Sequence, residues 1–458
     1  MARRQHSRQQ PVERGQTSRE VMHPNAAGID VGAEFSYVAV PEGRAEQTVR
    51  RFACFTADLH ALADWLQACG VDTVAMESTG VYWIPLFQVL ESRGFEVFLV
   101  NARHVKNVPG RKTDVKDCQW LQQLHSFGLL AASFRPEDEI CVLRSYWRHR
   151  DTLVRYAASH VQHMHKALEQ MNVQLHKVIS DVTGVTGLRI LEAILAGERD
   201  PQQLVSLKDR RIRSSADTIA KALEGDWRDE HLFALRQALD GYRFYQQQIE
   251  ACDQEVEAHL NTLETRAEGP PPWPQDGRPR APKGNTPSFD LRSHLYRITG
   301  ADFPQIDGID VLTAQTIISE VGLDPSRFGT AKRFCSWLGI CPDNRVTGGK
   351  VKSTHTRPVA NRAAKAFRLA ARSAGKTQSP IGAFYRRIKA RKGAPEAITA
   401  TAHKIARIFF HLWQHPQQFD LTQLERQQQQ YEQRRLNSLR RAAKARGFQL
   451  VPLACVAG

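Results

Sequence analysis

The sequence predicts an α/β fold for its N-terminal third, a long helical middle segment and a mainly helical C-terminal domain. Three observations support this prediction. Before residue 138, short apolar runs rich in β-branched residues alternate with helical periodicity in the order βββαβαβα, which is typical of a partly parallel central sheet. Residues 140–265 contain few helix breakers. Beyond residue 288, helical patterns recur around glycine turns.

The composition indicates a globular protein without a membrane partner. With 458 residues the chain is long enough for two or three domains, and 41% of its residues are hydrophobic. No apolar run approaches the roughly 18 residues of a membrane span, and the polar N-terminus lacks the apolar core of a signal peptide. The eight cysteines include no C-x-x-C pair, so neither a disulfide framework nor a zinc site is indicated. We therefore expect a cytoplasmic protein.

Positive charge is concentrated in one part of the chain. The whole sequence has a formal net charge of +15. Residues 327–392 alone contain 17 lysines and arginines and one acid, Asp343, which gives that segment a charge of +16. Because the rest of the chain is close to neutral, the excess favours a polyanionic partner, and nucleic acid in particular, over general solubility.

Changes in composition divide the chain into six segments. We expect a disordered tail, an α/β catalytic domain, a helical segment with coiled-coil character, a Pro-rich linker, a C-terminal domain and a basic Gln/Arg-rich tail. The boundaries are 1–25, 26–138, 139–266, 267–288, 289–413 and 414–458. Leu232, Leu235 and Leu239 have helical spacing, which favours a helical hairpin or coiled coil and a homo-oligomer, either a dimer or a tetramer.

Four acids occupy suggestive positions in the α/β segment. Asp30 lies inside the apolar run 28–32, where a carboxylate is costly unless it is paired, hydrogen-bonded or bound to metal. Glu77 follows a middle strand, and Asp114 and Asp117 share one face of a later helix because they are three residues apart. The alternative interpretation is that each acid is an ordinary turn or helix-terminus carboxylate.

These acids can converge if the first strand is central, as in a ribonuclease-H-like sheet. The next parallel strand would then lie beside the first, and the later helix would pack across that edge. Grouped carboxylates repel one another unless a divalent cation holds them, and hard oxygen ligands suit Mg²⁺ or Mn²⁺. Two such ions about 4 Å apart activate a nucleophile and stabilise a leaving oxygen in phosphodiester chemistry.

The C-terminal domain contains two patterns that favour contact with a nucleic-acid backbone. Residues 306–322 have the pattern of a helix-hairpin-helix element, whose glycine turn offers backbone N–H groups to a phosphate, although an ordinary helical turn has the same pattern. Residues 344–353 give a basic glycine loop, and a basic helix follows over 361–374. The predicted nucleic-acid-binding residues are Arg345, Gly348, Gly349, Lys350, Lys352, Arg357, Arg362 and Lys365.

The order and spacing of these motifs resemble those of the DEDD transposases of bacterial insertion-sequence family 110. The matching stretches are 28–32, 76–83, 112–117, 306–322, 334–339 and 348–350. The resemblance implies a RuvC-like, Holliday-junction-resolvase-like N-terminal domain and an enzyme that cuts and rejoins DNA. The residues that it implies as ligands of two Mg²⁺ or Mn²⁺ ions are Asp30, Glu77, Asp114 and Asp117.

The resemblance also implies a nucleophile and nucleic-acid partners. Family members have a serine just before the paired glycines, where this chain has Thr347, which keeps the hydroxyl but adds a methyl group that crowds in-line attack. Ser353 is the alternative nucleophile. A protein hydroxyl that attacks a phosphate forms a covalent phosphoester, which conserves bond energy for rejoining. Members of the family that this chain resembles use a structured noncoding RNA. The resemblance therefore implies donor DNA, target DNA and a guide RNA as partners.

Three alternative functions stay open at this point. A junction-resolvase-like nuclease would use water in place of the protein hydroxyl and would not need the basic glycine loop. A non-catalytic nucleic-acid-binding protein would not need four acids. An actin-like sugar kinase would share residues 30–32, but it needs a second Asp-x-Gly hairpin that residues 307–310 do not supply.

Overall fold

A computed structural model describes residues 20–78, 80–101, 113–272, 284–416 and 422–451. The chain divides into two compact units, the second of which begins at Pro136. Most of the predicted tail 1–25, part of the predicted linker 267–288, and the motif residues Thr79 and Lys112 lie outside the described residues. In the described ranges, no helix is both long and apolar enough to cross a membrane.

The first unit is built on a five-stranded mixed sheet. Its strands are β1 (Ala26–Val31), β2 (Phe35–Ala39), β3 (Val49–Ala53), β4 (Thr73–Glu77) and β5 (Glu96–Val100). Its helices are α1 (Thr56–Ala68), α2 (Trp83–Ser92) and α3 (Asp114–Ser126). The strand order is β3-β2-β1-β4-β5, with β1 antiparallel to β2 and parallel to β4. The predicted α/β class is confirmed, and β1 is the central strand.

Different helices cover the two faces of this sheet. Ile29 of β1 and Met76 of β4 are fully buried in a core that also includes side chains of α1 and α2. On the opposite face Ala75 and Val100 pack with Leu121 of α3. Since successive strand residues point to opposite faces, β1 and β4 present apolar side chains in both directions, as central strands covered on both sides do.

The second unit begins with two long antiparallel helices, α4 (Asp138–Gln170) and α9 (Asp229–Thr262). Near one end of the pair, His259 Nε2 of α9 lies 2.7 Å from the Glu139 carbonyl oxygen of α4. Four short helices connect the pair, namely α5 (Leu175–Val178), α6 (Val185–Leu195), α7 (Pro201–Ser206) and α8 (Ala216–Leu223). They form a small module whose core includes Ile190, Leu204 and Ile219. The long helices agree with the sequence pattern, and coiled-coil character stays a prediction.

The rest of the second unit is mainly helical, as predicted. It contains α10 (Leu291–Thr299), α11 (Val311–Val321), α12 (Ala331–Trp337), α13 (Arg362–Ala374), α14 (Pro380–Lys392), α15 (Ala394–Gln414) and α16 (Thr422–Lys444). Two strands, β6 (Arg345–Thr347) and β7 (Lys350–Ser353), form a separate ribbon. The core is aromatic, with the rings of Phe303 and Phe409 stacked at 4.0 Å and with Phe334 and Phe367 beside them.

The predicted helix-hairpin-helix element differs from the structure in its first half. A 3-10 turn over Phe303–Gln305 precedes the glycine turn, and only the following element, α11, is an α-helix. Gly308 has a positive φ of 93° and faces α13, because a Cβ at this position would lie 2.3 Å from the Ala370 carbonyl oxygen. The glycine therefore allows close packing between the turn and α13. A role for this turn in phosphate binding stays a prediction.

Candidate functional site

Asp30 and Glu77 lie at the carboxyl ends of neighbouring parallel strands. Ile29 of β1 is in register with Met76 of β4, so the two acids occupy the next position on each strand. Adjacent strands are about 4.8 Å apart. Because Ile29 and Met76 face the core with α1 and α2, alternation places both acids on the face that α3 covers. Both side chains are partly buried.

Helix α3 lies directly over β1 at Gly28. A Cβ on Gly28 would lie 2.3 Å from the Cys118 carbonyl oxygen and 2.3 Å from the Gln122 amide nitrogen. These are backbone atoms inside a helix, so they cannot move aside as a flexible side chain can. Glycine is therefore required for the two backbones to approach this closely.

Asp114 and Asp117 occupy the first turn of α3. The helix begins after Thr113, whose hydroxyl accepts a hydrogen bond from the Lys116 amide at 3.3 Å. Asp117 is partly buried, whereas Asp114 is exposed. Acids in a first turn interact favourably with the helix dipole. The dipole therefore stabilises both carboxylates here independently of any ligand.

The Cys118 thiol lies in the electrostatic field of two of these acids. It is buried and donates a hydrogen bond to the Val115 carbonyl oxygen at 3.1 Å. Burial, followed by the negative charges of Asp30 and, to a smaller extent, Asp117, raises the pKa of the Cys118 thiol to about 12. One acid acts from strand β1 and the other from helix α3, so the fold places both beside the same neutral thiol.

The fold brings the acids to one side of the sheet without closing them into a cluster. In the described residues, which include all four acids, no three His, Cys, Asp or Glu side chains lie close enough to hold a metal ion. Asp30 and Glu77 are on neighbouring strands, Asp117 is on the helix above, and Asp114 is exposed. The donor set consists of carboxylates, and this chemistry fits a hard divalent cation. The metal assignment of the four acids stays a prediction.

The predicted basic glycine loop is a two-stranded antiparallel ribbon. Thr347 of β6 pairs with Lys350 of β7, and only Gly348 and Gly349 lie between them. Their φ angles are 57° and 73°, the left-handed region that a type I′ hairpin turn requires at both central positions. The glycines therefore set the geometry of the turn, and Thr347 directly precedes it.

The two candidate nucleophiles lie at opposite ends of this ribbon. Thr347 is exposed beside the turn. Ser353 is partly buried at the base, and its hydroxyl accepts a hydrogen bond from the His355 amide at 3.3 Å. Ser353 lies three positions along β7 from Lys350, the pairing partner of Thr347, which corresponds to about 10 Å. One phosphate therefore cannot contact both hydroxyls in this conformation of the ribbon.

Exposed cations follow the ribbon along the chain. The Asn361 side chain caps α13 by accepting a hydrogen bond from the Ala364 amide at 3.0 Å. The buried face of this helix is formed by alanines and Phe367, so Arg362 and Lys365 are exposed on the other side. The predicted nucleic-acid-binding residues that the structure shows as exposed are Gly348, Gly349, Lys350, Lys352, Arg357, Arg362 and Lys365. For Arg345 only the backbone, in β6, is described.

Sequence reasoning did not identify the contact between Gly28 and Cys118. The one signal in the sequence was Gly28 itself, because a glycine inside an apolar strand indicates that another backbone approaches closely. The partner could not be predicted, because Cys118 is 90 residues away and has no distinctive pattern.

Two family models match the chain. A DEDD transposase model of the IS110 family matches residues 27–173, and a transposase model of the IS116/IS110/IS902 family matches residues 302–386. The first range includes β1, β4 and α3 with all four acids, and the second includes the ribbon and α13. A search of curated proteins gives no match. Both matches lie in the order that the sequence motifs predict, and the chain belongs to the IS110 family of DEDD transposases.

Proposed function

We propose that the protein is an insertion-sequence recombinase that cuts and rejoins DNA strands, with Asp30, Glu77, Asp114 and Asp117 as its metal-binding acids. The observation that supports this most directly is the placement of Asp30 and Glu77 side by side beneath α3, which carries the other two acids. A central first strand with a parallel neighbour also supports a RuvC-like catalytic domain. Family membership supports DNA as the substrate.

The four acids extend from two kinds of element. Asp30 and Glu77 extend from neighbouring parallel strands in the middle of the sheet, so the strand register sets the spacing of their backbones. Asp114 and Asp117 extend from the first turn of α3, where the Thr113 cap orders the helix start. Together they would hold Mg²⁺ or Mn²⁺, which supplies charge neutralisation at the phosphate and activates the attacking oxygen.

Thr347 would supply the attacking oxygen. The bond that forms joins Thr347 Oγ1 to phosphorus, and the bond that breaks is the ester bond to the departing DNA oxygen. The product is a threonine phosphoester and a free DNA hydroxyl, so reversal of the step rejoins a strand without ATP. Lys350 supports this role, because directly opposite residues of a ribbon share a face, so its positive charge is on the same face as the Thr347 hydroxyl.

The basic segment 327–392 would hold the nucleic acids. It contains 17 lysines and arginines, and most of those whose side chains the structure describes are exposed. Counterion release from a phosphate backbone gives such a surface a strong, salt-dependent affinity. We propose donor DNA, target DNA and a structured noncoding guide RNA as ligands, and a homo-oligomer as the working form. The RNA and the oligomer rest on the family resemblance.

Charge-neutral substitution of the acids tests this function. We expect Asp30→Asn and Asp117→Asn to lower Mg²⁺-dependent strand cleavage by about a thousandfold, because an amide binds divalent cations far more weakly than a carboxylate. The substrate is DNA from the flanks of the gene, supplied together with its transcript. Glu46→Gln is the control, since Glu46 is an exposed acid in the same unit. Full cleavage by either Asn variant would contradict the assignment.

A further inference from the structure

We propose that Val346 and Val351 form an apolar face with which the ribbon packs against base edges in the major groove of duplex DNA. The inference rests on the proposed function, because it names how the region that carries Thr347 contacts its substrate. It assigns a base-contacting role to two uncharged residues that lie between the predicted phosphate-binding cations.

The geometry of the ribbon separates two kinds of side chain. Val346 and Val351 are directly opposite each other in the register, so they lie side by side on one face. Thr347 and Lys350 form the next opposite pair and therefore share the other face. One face is apolar, and the other presents a hydroxyl and an ammonium.

The apolar face is open to solvent. Val346 is 57% exposed and Val351 is 58% exposed, so both side chains leave much of their apolar surface in contact with water. The ribbon is fixed at its base, where Pro342 bridges to Thr356 and the Asp343 amide donates to the His355 carbonyl oxygen at 2.8 Å. An anchored ribbon with two adjacent exposed valines indicates a surface that is covered by a partner.

Charge and shape identify the partner as duplex DNA. Lys350 and Lys352 are exposed, and neither forms an ion pair with any residue that the structure describes. Two such ribbons from separate copies would repel each other, whereas a polyanion is attracted. A two-stranded ribbon fits the major groove, which is about 12 Å wide and is lined by the C5 methyl groups of thymine. The tip is open to a partner, because a Cβ on Gly348 or Gly349 would meet no described atom within 4 Å.

The thymine methyl group provides a direct test. Fluorescence anisotropy would compare two short duplexes of one mixed sequence, one with thymine and one with uracil at every thymine position, using the full chain. We expect the wild-type protein to bind the thymine duplex about fivefold more tightly, since valine methyl groups gain apolar contact with it. Val346→Ser combined with Val351→Ser should remove this preference. Val185→Ser is the matched control, because Val185 is 60% exposed in α6.

The dependence of binding on salt separates the apolar contact from the charged one. The double serine variant should keep the wild-type salt slope, whereas Lys350→Gln with Lys352→Gln should lower the slope and keep the thymine preference. The proposal is overturned if the wild-type protein binds both duplexes equally, or if the double serine variant still prefers thymine. It is also overturned if the serine variant keeps its thymine preference and light scattering shows that it dissociates into smaller species. The valines would then join copies of the chain instead of contacting DNA. A wild-type protein that prefers thymine but cleaves no DNA would contradict the proposed function alone.

Discussion

The backbone of Gly28 lies against that of Cys118, and this contact sets the spacing between β1 and α3. A Cβ on Gly28 would lie 2.3 Å from the Cys118 carbonyl oxygen, far inside van der Waals distance. The strand carries Asp30, and the helix carries Asp114 and Asp117. The spacing of the candidate metal ligands therefore depends on a residue that has no side chain.

Gly28→Ala should separate the strand from the helix. We expect a loss of about 2 kcal/mol in the free energy of unfolding, as is typical of overpacking, and at least a tenfold loss of strand cleavage. Urea unfolding and a cleavage assay measure the two effects. Gly284→Ala is the control, because a Cβ there would meet no described atom within 4 Å. Normal cleavage by Gly28→Ala would show that the close approach does not position the acids.

Periodicity in the sequence predicted the sheet and the location of the acids, but it did not predict contacts distant in sequence. The runs that contain Asp30 and Glu77 are almost continuously apolar, as strands buried on both faces are, so their placement followed from local pattern. The ribbon was predicted only as a basic glycine loop, although paired glycines between two short strands are a hairpin signal. The direction that Gly308 faces could not be predicted, because periodicity does not identify Ala370 as its neighbour.

A buried ion pair joins the two long helices of the second unit. Arg150 of α4 and Asp253 of α9 are both almost fully buried, and Arg150 Nη2 lies 3.1 Å from Asp253 Oδ2. The guanidinium carbon also lies 5.2 Å from the centre of the Trp147 ring. Removing one partner of such a pair leaves an uncompensated charge inside the protein, which costs far more than the loss of an exposed pair.

Asp253→Asn should therefore destabilise the helical pair strongly. We expect a loss of about 3 kcal/mol in the free energy of unfolding, measured by urea denaturation of the full chain. Arg155→Gln provides the comparison, since Arg155 forms an exposed pair with Asp151 at 3.5 Å and should contribute less than about 0.5 kcal/mol. Equal effects of the two substitutions would exclude a special role for the buried pair.

His125 should make the stability of the first unit depend on pH. Its Nε2 lies 2.9 Å from the Thr73 hydroxyl, which donates its own proton to the Glu96 carbonyl oxygen at 3.1 Å. Nε2 is therefore the donor, and Nδ1 is buried without a hydrogen-bond partner in the described residues. Burial, followed by the charge of His23, lowers the pKa of His125 to about 4, although Asp72 raises it slightly.

The sign of the effect follows from the lowered pKa. The unfolded chain binds the His125 proton with an ordinary pKa near 6.5. The contribution of neutral, buried His125 to the free energy of unfolding is therefore complete above that pH, and it is lost as the pH falls toward 4. The loss should reach about 3 kcal/mol. Hydrogen-exchange protection of α3 amides in the full chain, corrected for intrinsic exchange rates, measures it. His125→Gln should flatten this dependence, and His60→Gln, at an exposed position, should not. An unchanged dependence in His125→Gln would assign the effect to other groups.

The final prediction distinguishes the two candidate nucleophiles and the two kinds of strand cleavage. Thr347 is exposed beside the glycine turn, whereas Ser353 is partly buried at the base of the ribbon and accepts a hydrogen bond from the His355 amide. We expect Thr347→Ala to abolish the covalent protein–DNA adduct seen with labelled DNA on a denaturing gel.

Thr347→Ser should keep or raise the rate of adduct formation, because it removes a methyl group and keeps the hydroxyl. Ser353→Ala is the matched control and should leave the adduct intact. An adduct that survives in Thr347→Ala and disappears in Ser353→Ala would identify Ser353 as the nucleophile. Cleavage without an adduct in every variant would mean that water attacks the phosphate, and the protein would then be a hydrolytic nuclease of the junction-resolvase kind.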